Sequence, residues 1–382
     1  MRIAIVGGGA AGCFAAAEIA RRRPEAEVVV YEAGDRLMAK LAITGGGRCN
    51  FTNTFEGVRS LSEVYPRGER LMKRALAEFS PEDAREWFRK AGVPGVEEND
   101  GCIFPCSQNA LDVVDAIRKR MNAKVLLGRR VRSLDEIDAD AIIVTSGGGA
   151  TGMLEGVVPL VRCVPSLFSL KIDDTPLKSL MGITVPEASV ALAGTKFRAG
   201  GILLITDWGV SGPAILKLSS YAARTLNESG YRGSLVINWT GWNEEQARGW
   251  IAEAARKAPK RLVRNLAPEG LSGRLWEHIC SRAGLRAELT FAELGSKGAS
   301  RLCATLCSDS YPISGRCPFK AEFVTCGGVD LSCVNPKTME CRTWPGLYFA
   351  GEVMDIDAIT GGFNLQAAWS TAWIAAKAVS EL

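Results

Sequence analysis

The first 32 residues carry the pattern that most restricts how this chain can fold. Residues 2–6 (RIAIV) predict a short buried strand, and GGGAAG at 7–12 spells G-x-G-x-x-G. A helical pattern then stops at Pro24, and the strand-like EVVVYE ends in Glu32. A strand, a glycine-rich turn, a helix and a strand ending in an acid predict a dinucleotide-binding βαβ unit, and hence a parallel α/β sheet.

The positions within this unit have separate physical roles. Gly7 permits the tight turn, Gly9 lets a pyrophosphate approach the backbone, and Gly12 lets the helix pack on the strand. The backbone amides of the first helical turn, at Ala10 and Ala11, meet the phosphate charge. The acid after the second strand accepts hydrogen bonds from both hydroxyls of an adenosine ribose. These residues suit NAD and FAD equally.

A C-terminal segment extends the predicted binding site. The run LYFA predicts a strand that leads into Gly351 and Glu352, and Gly361 and Gly362 then open a helix that runs to about Val379. The N-terminus of such a helix stabilises negative charge, as develops at the N1/C2 carbonyl edge of a reduced flavin. An extended FAD needs contacts this far along the chain, whereas a mononucleotide-sized ligand does not.

A third predicted strand lies in the middle of the chain, where DADAIIVTSGGGA (138–150) ends in Thr145 and leads into Gly147 and Gly148. Its GGGATG also spells G-x-G-x-x-G, but two nearby prolines leave room for only a short helix, and no following strand ends in an acid. We therefore predict the end of a central strand of the FAD domain, not a second domain for NAD(P)H. The predicted cofactor is non-covalent FAD, with NAD(P)H at most a transient electron donor.

Composition indicates an ordinary cytoplasmic protein. The 382 residues are 47% apolar and 23% charged, and no apolar run is long enough to cross a bilayer. The N-terminus lacks the pattern of a signal peptide. Twelve cysteines in a reducing compartment are expected to be free thiols. The single histidine, His278, cannot complete a Cys/His zinc set, so no metal is expected.

Two basic stretches, at 118–132 and 256–264, are candidates for binding nucleic acid. A net charge of +4 is weak support, and aromatic residues do not interleave with the basic ones. We expect both stretches to be solvated faces and the substrate to be a small molecule, so nucleic acid is not the expected partner.

Four motifs resemble one family over nearly the whole chain. They are IVGGGAAG (5–12), TGGGRCNFTN (44–53), GVSGPAILKLS (209–219) and the long block from TCGGVD to LQAAW (325–369). The sequence is similar to the BaiN-like, aminoacetone-oxidase-type bacterial FAD flavoproteins, which are distantly related to fumarate reductase flavoprotein subunits. The resemblance implies a flavin-dependent oxidoreductase.

The resemblance also assigns a role to the TGGGRCNFTN loop. In this family the loop lies along the FAD, so Gly45 to Gly47 would permit close backbone approach. Arg48 would offer its charge to the pyrophosphate or the flavin side, and Asn50 a hydrogen bond. The full set of residues expected to bind the cofactor is Gly7, Gly9, Ala10, Ala11, Gly12, Glu32, Ala33, Lys40, Thr44, Gly45, Gly46, Arg48, Cys49, Asn50, Val131, Thr145, Gly147, Gly148, Gly351, Glu352, Gly361, Gly362, Asn364, Leu365 and Gln366.

The middle of the chain leaves the cofactor pattern. Strand-like runs at 165–173, 188–194 and 197–207 are separated by turn residues, and a helical pattern extends from Asn243 to about Ser310. The resemblance implies the same plan, a β-rich insert that carries a helical cap.

The predicted fold is an α/β, Rossmann-like FAD-binding domain, a parallel sheet flanked by helices, with an inserted β-rich domain and a small helical subdomain. The predicted division assigns 1–158 and 322–382 to the FAD domain, 159–242 and 311–321 to the β-rich insert, and 243–310 to the helical cap.

The expected reaction is hydride transfer to or from flavin N5, either in amine oxidation or in reduction of an activated C=C bond. Two alternatives are a flavoprotein that acts on RNA through the basic stretches and a non-catalytic flavin-binding protein. Cys49 stands alone in its loop, which disfavours a dithiol mechanism, and His278 is expected to be a packing residue.

The resemblance places a histidine before x-Gly-x-Ser-Gly-Pro, where this chain has Asp207 in TDWGVSGP. Asp207 is therefore the predicted proton-transfer residue, provided that burial raises its pKa. The alternative is that it caps a helix beginning near Ser211. Phe363 stands where the family usually has tyrosine, so one hydroxyl is lost at the flavin end.

Overall fold

The computed structural model describes residues 1–317 and 324–382. The chain divides into two compact units. Unit 1 comprises Met1–Val164 and Val324–Leu382, and unit 2 comprises Pro165–Phe323. The predicted boundary between 321 and 322 lies outside the described residues.

The described strands occur in both units. They are β1 Arg2–Val6, β2 Glu27–Tyr31, β3 Thr52–Asn53, β4 Gly95–Glu97, β5 Cys102–Pro105, β6 Lys124–Leu126, β7 Ala141–Val144, β8 Leu160–Ser166, β9 Leu170–Lys171, β10 Thr184–Leu192, β11 Arg198–Thr206, β12 Gly209–Ser211, β13 Gly233–Asn238, β14 Asp309–Ile313, β15 Gly315–Arg316, β16 Val324–Val329 and β17 Leu347–Phe349.

The α-helices range from one turn to five turns. They are α1 Ala10–Arg22, α2 Leu61–Val64, α3 Glu69–Glu78, α4 Pro81–Lys90, α5 Ala110–Arg118, α6 Thr175–Lys178, α7 Pro213–Tyr221, α8 Ala223–Glu228, α9 Glu244–Lys257, α10 Gly273–Arg282, α11 Gly295–Ser308 and α12 Phe363–Ser380.

Unit 1 is built on a parallel five-stranded sheet of order β17-β7-β1-β2-β6. The central strand β1 is apolar and buried from Ile3 to Val6, as expected for a parallel strand covered on both faces. Helices α1 and α12 pack against each other, and the Phe14 and Trp369 rings lie 5.2 Å apart between centroids. The parallel order brings the carboxyl ends of β1, β2, β7 and β17 to one edge of the sheet.

Unit 2 contains a seven-stranded sheet of order β14-β13-β10-β11-β12-β9-β15. Its strands pair antiparallel. Helix α11 packs on β13 and β14, and helices α9 and α10 pack on α11. Residues of the helices and of the sheet enter one hydrophobic core that includes Trp239, Trp276 and Tyr311. The helical segment thus shares its core with the β-rich part of unit 2.

The sequence located β1, α1, β2, β7, β17 and α12 to within one or two residues, but it made no prediction for β3 to β6 or for α2 to α5. The strand β7 pairs in parallel with β1 and β17, which confirms that GGGATG ends a central strand. After it comes only a 3₁₀ turn, Gly152–Leu154, as the two prolines predicted. The single strand predicted at 165–173 is wrong, because β8 ends at Ser166 and β9 contains only two residues.

Candidate functional site

The turn between β1 and α1 has the geometry of a phosphate-binding loop. Gly7 has φ +114°, and a Cβ atom there would lie 2.4 Å from the carbonyl oxygen of Thr145 at the end of β7. The Thr145 hydroxyl donates to the Gly7 carbonyl at 2.8 Å. A side chain at Gly9 would meet open space, with nothing within 4 Å. The turn is closed on the β7 side and open at Gly9.

The N-terminus of α1 has no side-chain cap. Gly9 is its N-cap, and the first turn contains no acidic residue. The N–H groups of a first helical turn have no partner within the helix, and with the positive end of the helix dipole they favour an anion here.

Glu32 follows β2, and its carboxylate reaches back to the glycine turn. Oε2 accepts from the Gly8 amide at 2.8 Å, and Oε1 accepts from the Gly34 amide at 2.6 Å. These two bonds fix the carboxylate beside the open face of the turn.

Replacing Glu32 with alanine is expected to weaken FAD binding by roughly 1.5–3 kcal/mol, because charge-assisted hydrogen bonds to the ribose would be lost. Fluorescence titration of the apoprotein with FAD measures the affinity. The matched control is Glu27→Ala, at the exposed start of the same strand. Equal affinities of the two variants would contradict the ribose assignment.

A second group of predicted residues meets around Glu352. Its Oε1 accepts from the Thr325 amide at 2.8 Å, and Lys40 Nζ lies 3.9 Å from Oε2. A Cβ atom at Gly148 would come within 2.7 Å of the same carboxylate. Burial raises the pKa of Glu352, an effect that the charge of Lys40 and the backbone donors oppose. Thr325 was not predicted from the sequence, because no local pattern identifies its backbone amide as a hydrogen-bond donor to Glu352.

The raised pKa of Glu352 predicts a pH-dependent stability. The pKa of Glu352 in the folded state lies above its unfolded-state value, so ionisation of the carboxylate destabilises the folded protein. Stability is therefore lost as the pH rises from the unfolded-state pKa through the folded-state pKa. In the apoprotein, Glu352→Gln is therefore expected to raise Tm at pH 8 and to give no such gain at pH 4. Paired thermal melts measure the difference. An equal gain at both pH values would contradict the assignment.

The TGGGRCNFTN loop packs against the N-terminus of α12, about 300 residues later in the chain. The Asn53 side-chain amide donates to the Gly361 carbonyl at 3.0 Å, and the Trp369 indole donates to the Phe51 carbonyl at 2.8 Å. Gly362 has φ +87°, and a Cβ atom there would lie 2.4 Å from the Thr52 carbonyl oxygen. Glycine is required at this junction for both reasons.

The junction also holds an unsatisfied acceptor. The side-chain oxygen of Asn50 is buried and has no hydrogen-bond partner within the described parts of the chain. A Cβ atom at Gly362 would lie 2.7 Å from this oxygen. The N-terminus of α12 has no side-chain cap and no acid in its first turn. Buried polar groups normally have partners, so the junction fits a polar ligand.

Arg48 and Cys49 differ in how the structure holds them. The Arg48 guanidinium pairs with Glu98, donates to Gln108 Oε1 at 2.6 Å and lies 4.1 Å from the centroid of the Phe104 ring. Cys49 is fully buried, and burial raises the pKa of its thiol to about 12. The neutral thiol supports the expectation that Cys49 is not a redox group.

Several other predicted cofactor residues use their side chains internally. Asn364 bonds both backbone groups of Ala358, and Gln366 is fully buried against Thr52 and the Phe79 carbonyl. A cofactor would meet their backbone. All the predicted cofactor residues belong to unit 1. The remaining ones lie just after β2, β7 and β17 (Ala33, Gly147, Gly351), between β6 and the 3₁₀ turn Leu134–Glu136 (Val131), in the 3₁₀ segment Leu41–Gly47 (Thr44, Gly45, Gly46) and in the first turns of α1 and α12 (Ala10, Ala11, Leu365).

Asp207 belongs to unit 2 and occupies the tight turn between β11 and β12. Its capping alternative is wrong, because α7 begins at Pro213 with Gly212 as N-cap and no side-chain cap. The side chain is exposed, so the burial that the sequence argument presupposed is absent.

His278 contacts Tyr311, whose hydroxyl is 3.0 Å from its Nε2. It lies in α10, half-buried, in agreement with a packing role. All twelve cysteines are free, and the described residues contain no cluster that could hold a metal ion. No described helix is both long enough and apolar enough to cross a membrane.

The parallel sheet, the open glycine turn, the acid after β2 and the second uncapped helix N-terminus define a Rossmann-type FAD-binding fold. The chain belongs to the family described as HI0933-like protein Rossmann domain, which it matches over residues 1–378. This membership confirms the resemblance stated from the sequence and the predicted class, an FAD-dependent oxidoreductase.

Two curated relatives span almost the whole chain. Ribosomal RNA dihydrouridine synthase of Escherichia coli (strain K12) is 29% identical over 406 residues, with 98% of this chain and 96% of the relative covered. The 3-dehydro-bile acid delta(4,6)-reductase of Clostridium scindens is 28% identical over 413 residues, with 100% and 99% covered. Among solved structures, quinol fumarate reductase FrdA of E. coli is 13% identical at a TM-score of 0.47, with 100% of this chain and 70% of that chain covered.

Proposed function

We propose that this protein is an FAD-dependent reductase that adds a hydride and a proton across a C=C bond conjugated to a carbonyl group in a small organic substrate. The observation that carries the proposal is the junction of the TGGGRCNFTN loop with the uncapped N-terminus of α12. It supplies a buried, unsatisfied oxygen and the positive end of a helix dipole in one place.

Each group of residues has a task in this proposal. Bound FAD supplies the hydride from its N5 atom. The N-terminus of α1 would hold the pyrophosphate, Glu32 would orient the adenosine ribose, and Glu352 would orient the ribitol chain. The N-terminus of α12 stabilises negative charge at the flavin edge.

The names of the relatives support reduction over amine oxidation. A delta(4,6)-reductase and a dihydrouridine synthase both describe saturation of a C=C bond next to a carbonyl group. The two reactions share one chemistry although their substrates differ greatly in size. NAD(P)H is the proposed electron donor, acting transiently.

RNA is the second candidate substrate, because a relative at 29% identity acts on ribosomal RNA. The charge of the chain adds support: residues 165–323 contain 20 lysines and arginines against 14 aspartates and glutamates, so the basic excess is concentrated in unit 2. A basic surface favours the phosphate backbone without selecting a sequence.

Anaerobic stopped-flow spectroscopy tests the proposal. The FAD-loaded protein is reduced with NADPH or NADH and mixed with a cyclic enone or with ribosomal RNA, while the oxidised protein is mixed with a primary amine. Recovery of the oxidised flavin spectrum with the enone is the expected result, and recovery with RNA alone would favour the second candidate. Bleaching by the amine, without reoxidation by either acceptor, would contradict a reductase.

A further inference from the structure

The loop that joins Glu352 to α12 is held by a segment that the sequence did not single out. Residues 64–68 (VYPRG) run alongside this loop, residues 354–362. The Val64 carbonyl accepts from the Ile359 amide at 2.9 Å, and the Tyr65 hydroxyl donates to the Phe363 carbonyl at 2.9 Å.

The segment also contacts this loop through an ion pair. The Arg67 guanidinium donates through Nε and Nη2 to the two carboxylate oxygens of Asp357. The Asp357 side chain is fully buried and that of Arg67 is 11% exposed. Asp357 lies five residues after Glu352 and five before Gly362, midway between the two groups proposed to meet the cofactor.

A buried ion pair is poor evidence for stability. Removing both charges from water costs several kcal/mol per ion, roughly what their attraction returns, and an apolar pair of equal volume often serves as well. What the pair does supply is geometry, since a bidentate guanidinium–carboxylate contact fixes both distance and orientation. Its position on this loop is therefore best explained by a need for orientation.

We propose that the Arg67–Asp357 pair is a positioning device that holds the loop 354–362, so that the Glu352 carboxylate and the N-terminus of α12 contact the same bound FAD. This inference rests on the proposed cofactor site. Neither residue touches the cofactor; both act through the loop they fix. The segment and the loop belong to unit 1, as do both groups they orient.

The test uses Arg67→Lys, which conserves charge but cannot form the bidentate contact. Because the positive charge at residue 67 is kept, a shift in the midpoint potential of the flavin then reports a change in the orientation of the loop. The matched control is Arg22→Lys. Arg22 is the last residue of α1, lies 3.3 Å through Nε from the buried carboxylate of Glu18, and is 19% exposed. The measurements are Tm of the apoprotein, FAD affinity by fluorescence titration, and the midpoint potential of the bound flavin.

Arg67→Lys is expected to weaken FAD binding about tenfold and to make the midpoint potential of the flavin more negative. The reason is that the N-terminus of α12 would no longer point at the negative charge of the reduced flavin. Arg22→Lys is expected to lower Tm, with affinity and potential unchanged. An Arg67→Lys protein with wild-type affinity and potential would overturn the positioning role alone. Wild-type protein that takes up no FAD would overturn the cofactor site, and the positioning role with it.

If Arg67→Lys does not fold, Tyr65→Phe tests the same segment more gently. It removes only the hydroxyl that donates to the Phe363 carbonyl. A smaller shift of potential in the same direction is expected. Unchanged affinity and potential would overturn the proposal.

Discussion

Gly362→Ala is expected to lower the affinity for FAD by about a hundredfold or more, equivalent to ~2.7 kcal/mol. The new methyl group would lie 2.4 Å from the Thr52 carbonyl oxygen and 2.7 Å from the Asn50 side-chain oxygen, so the loop and the helix must separate. Separation moves the N-terminus of α12 away from the proposed flavin edge. Fluorescence titration of the apoprotein with FAD measures the loss.

Gly92→Ala is the matched control for this change. Gly92 has φ +85°, close to the +87° of Gly362, but a Cβ atom there meets nothing within 4 Å. Both variants carry the cost of a left-handed alanine, about 1–2 kcal/mol, and only Gly362→Ala adds the steric clash. Gly92→Ala should keep its FAD affinity. A Gly362→Ala protein that also keeps its FAD affinity would show that the junction does not bind the cofactor.

Asp207→Asn is expected to leave reoxidation of the reduced flavin by the substrate at the wild-type rate, with FAD affinity retained. The proton-transfer role required a buried carboxylate, and the Asp207 side chain is exposed. Asparagine keeps the size and most hydrogen bonding of the side chain but cannot exchange a proton, so the variant isolates proton transfer. Anaerobic stopped-flow spectroscopy compares the rates of the variant and the wild type.

Asp173→Asn controls for loss of another exposed aspartate of unit 2. Its rate should also equal that of the wild type. If Asp207→Asn alone reacts about a hundredfold more slowly, the exposed carboxylate does take part in proton transfer.

Local pattern was sufficient for the elements that surround the site. The spacing of Gly7, Gly9 and Gly12 before a helix and a strand ending in Glu32 predicted β1, α1 and β2 closely, because turn geometry and burial leave few alternatives for that stretch. The pair Gly361–Gly362 likewise marked the start of α12.

Contacts between distant segments were beyond the reach of local pattern. Nothing near Arg67 indicates that its charge meets Asp357, 290 residues later, and nothing in the TGGGRCNFTN loop indicates that Asn53 bonds Gly361. Such pairs depend on how the whole sheet is ordered. The capping role considered for Asp207 failed for a related reason, since the two-residue turn and a short strand intervene before α7.

Identification of the cofactor that the protein carries tests the central claim most directly. The protein is purified without added cofactor, denatured with acid, and the released small molecules are identified by absorbance and mass spectrometry. We predict non-covalent FAD, released intact at up to one equivalent per chain and restored by reconstitution of any apoprotein. Release of NAD alone, or failure to bind FAD on reconstitution, would contradict it.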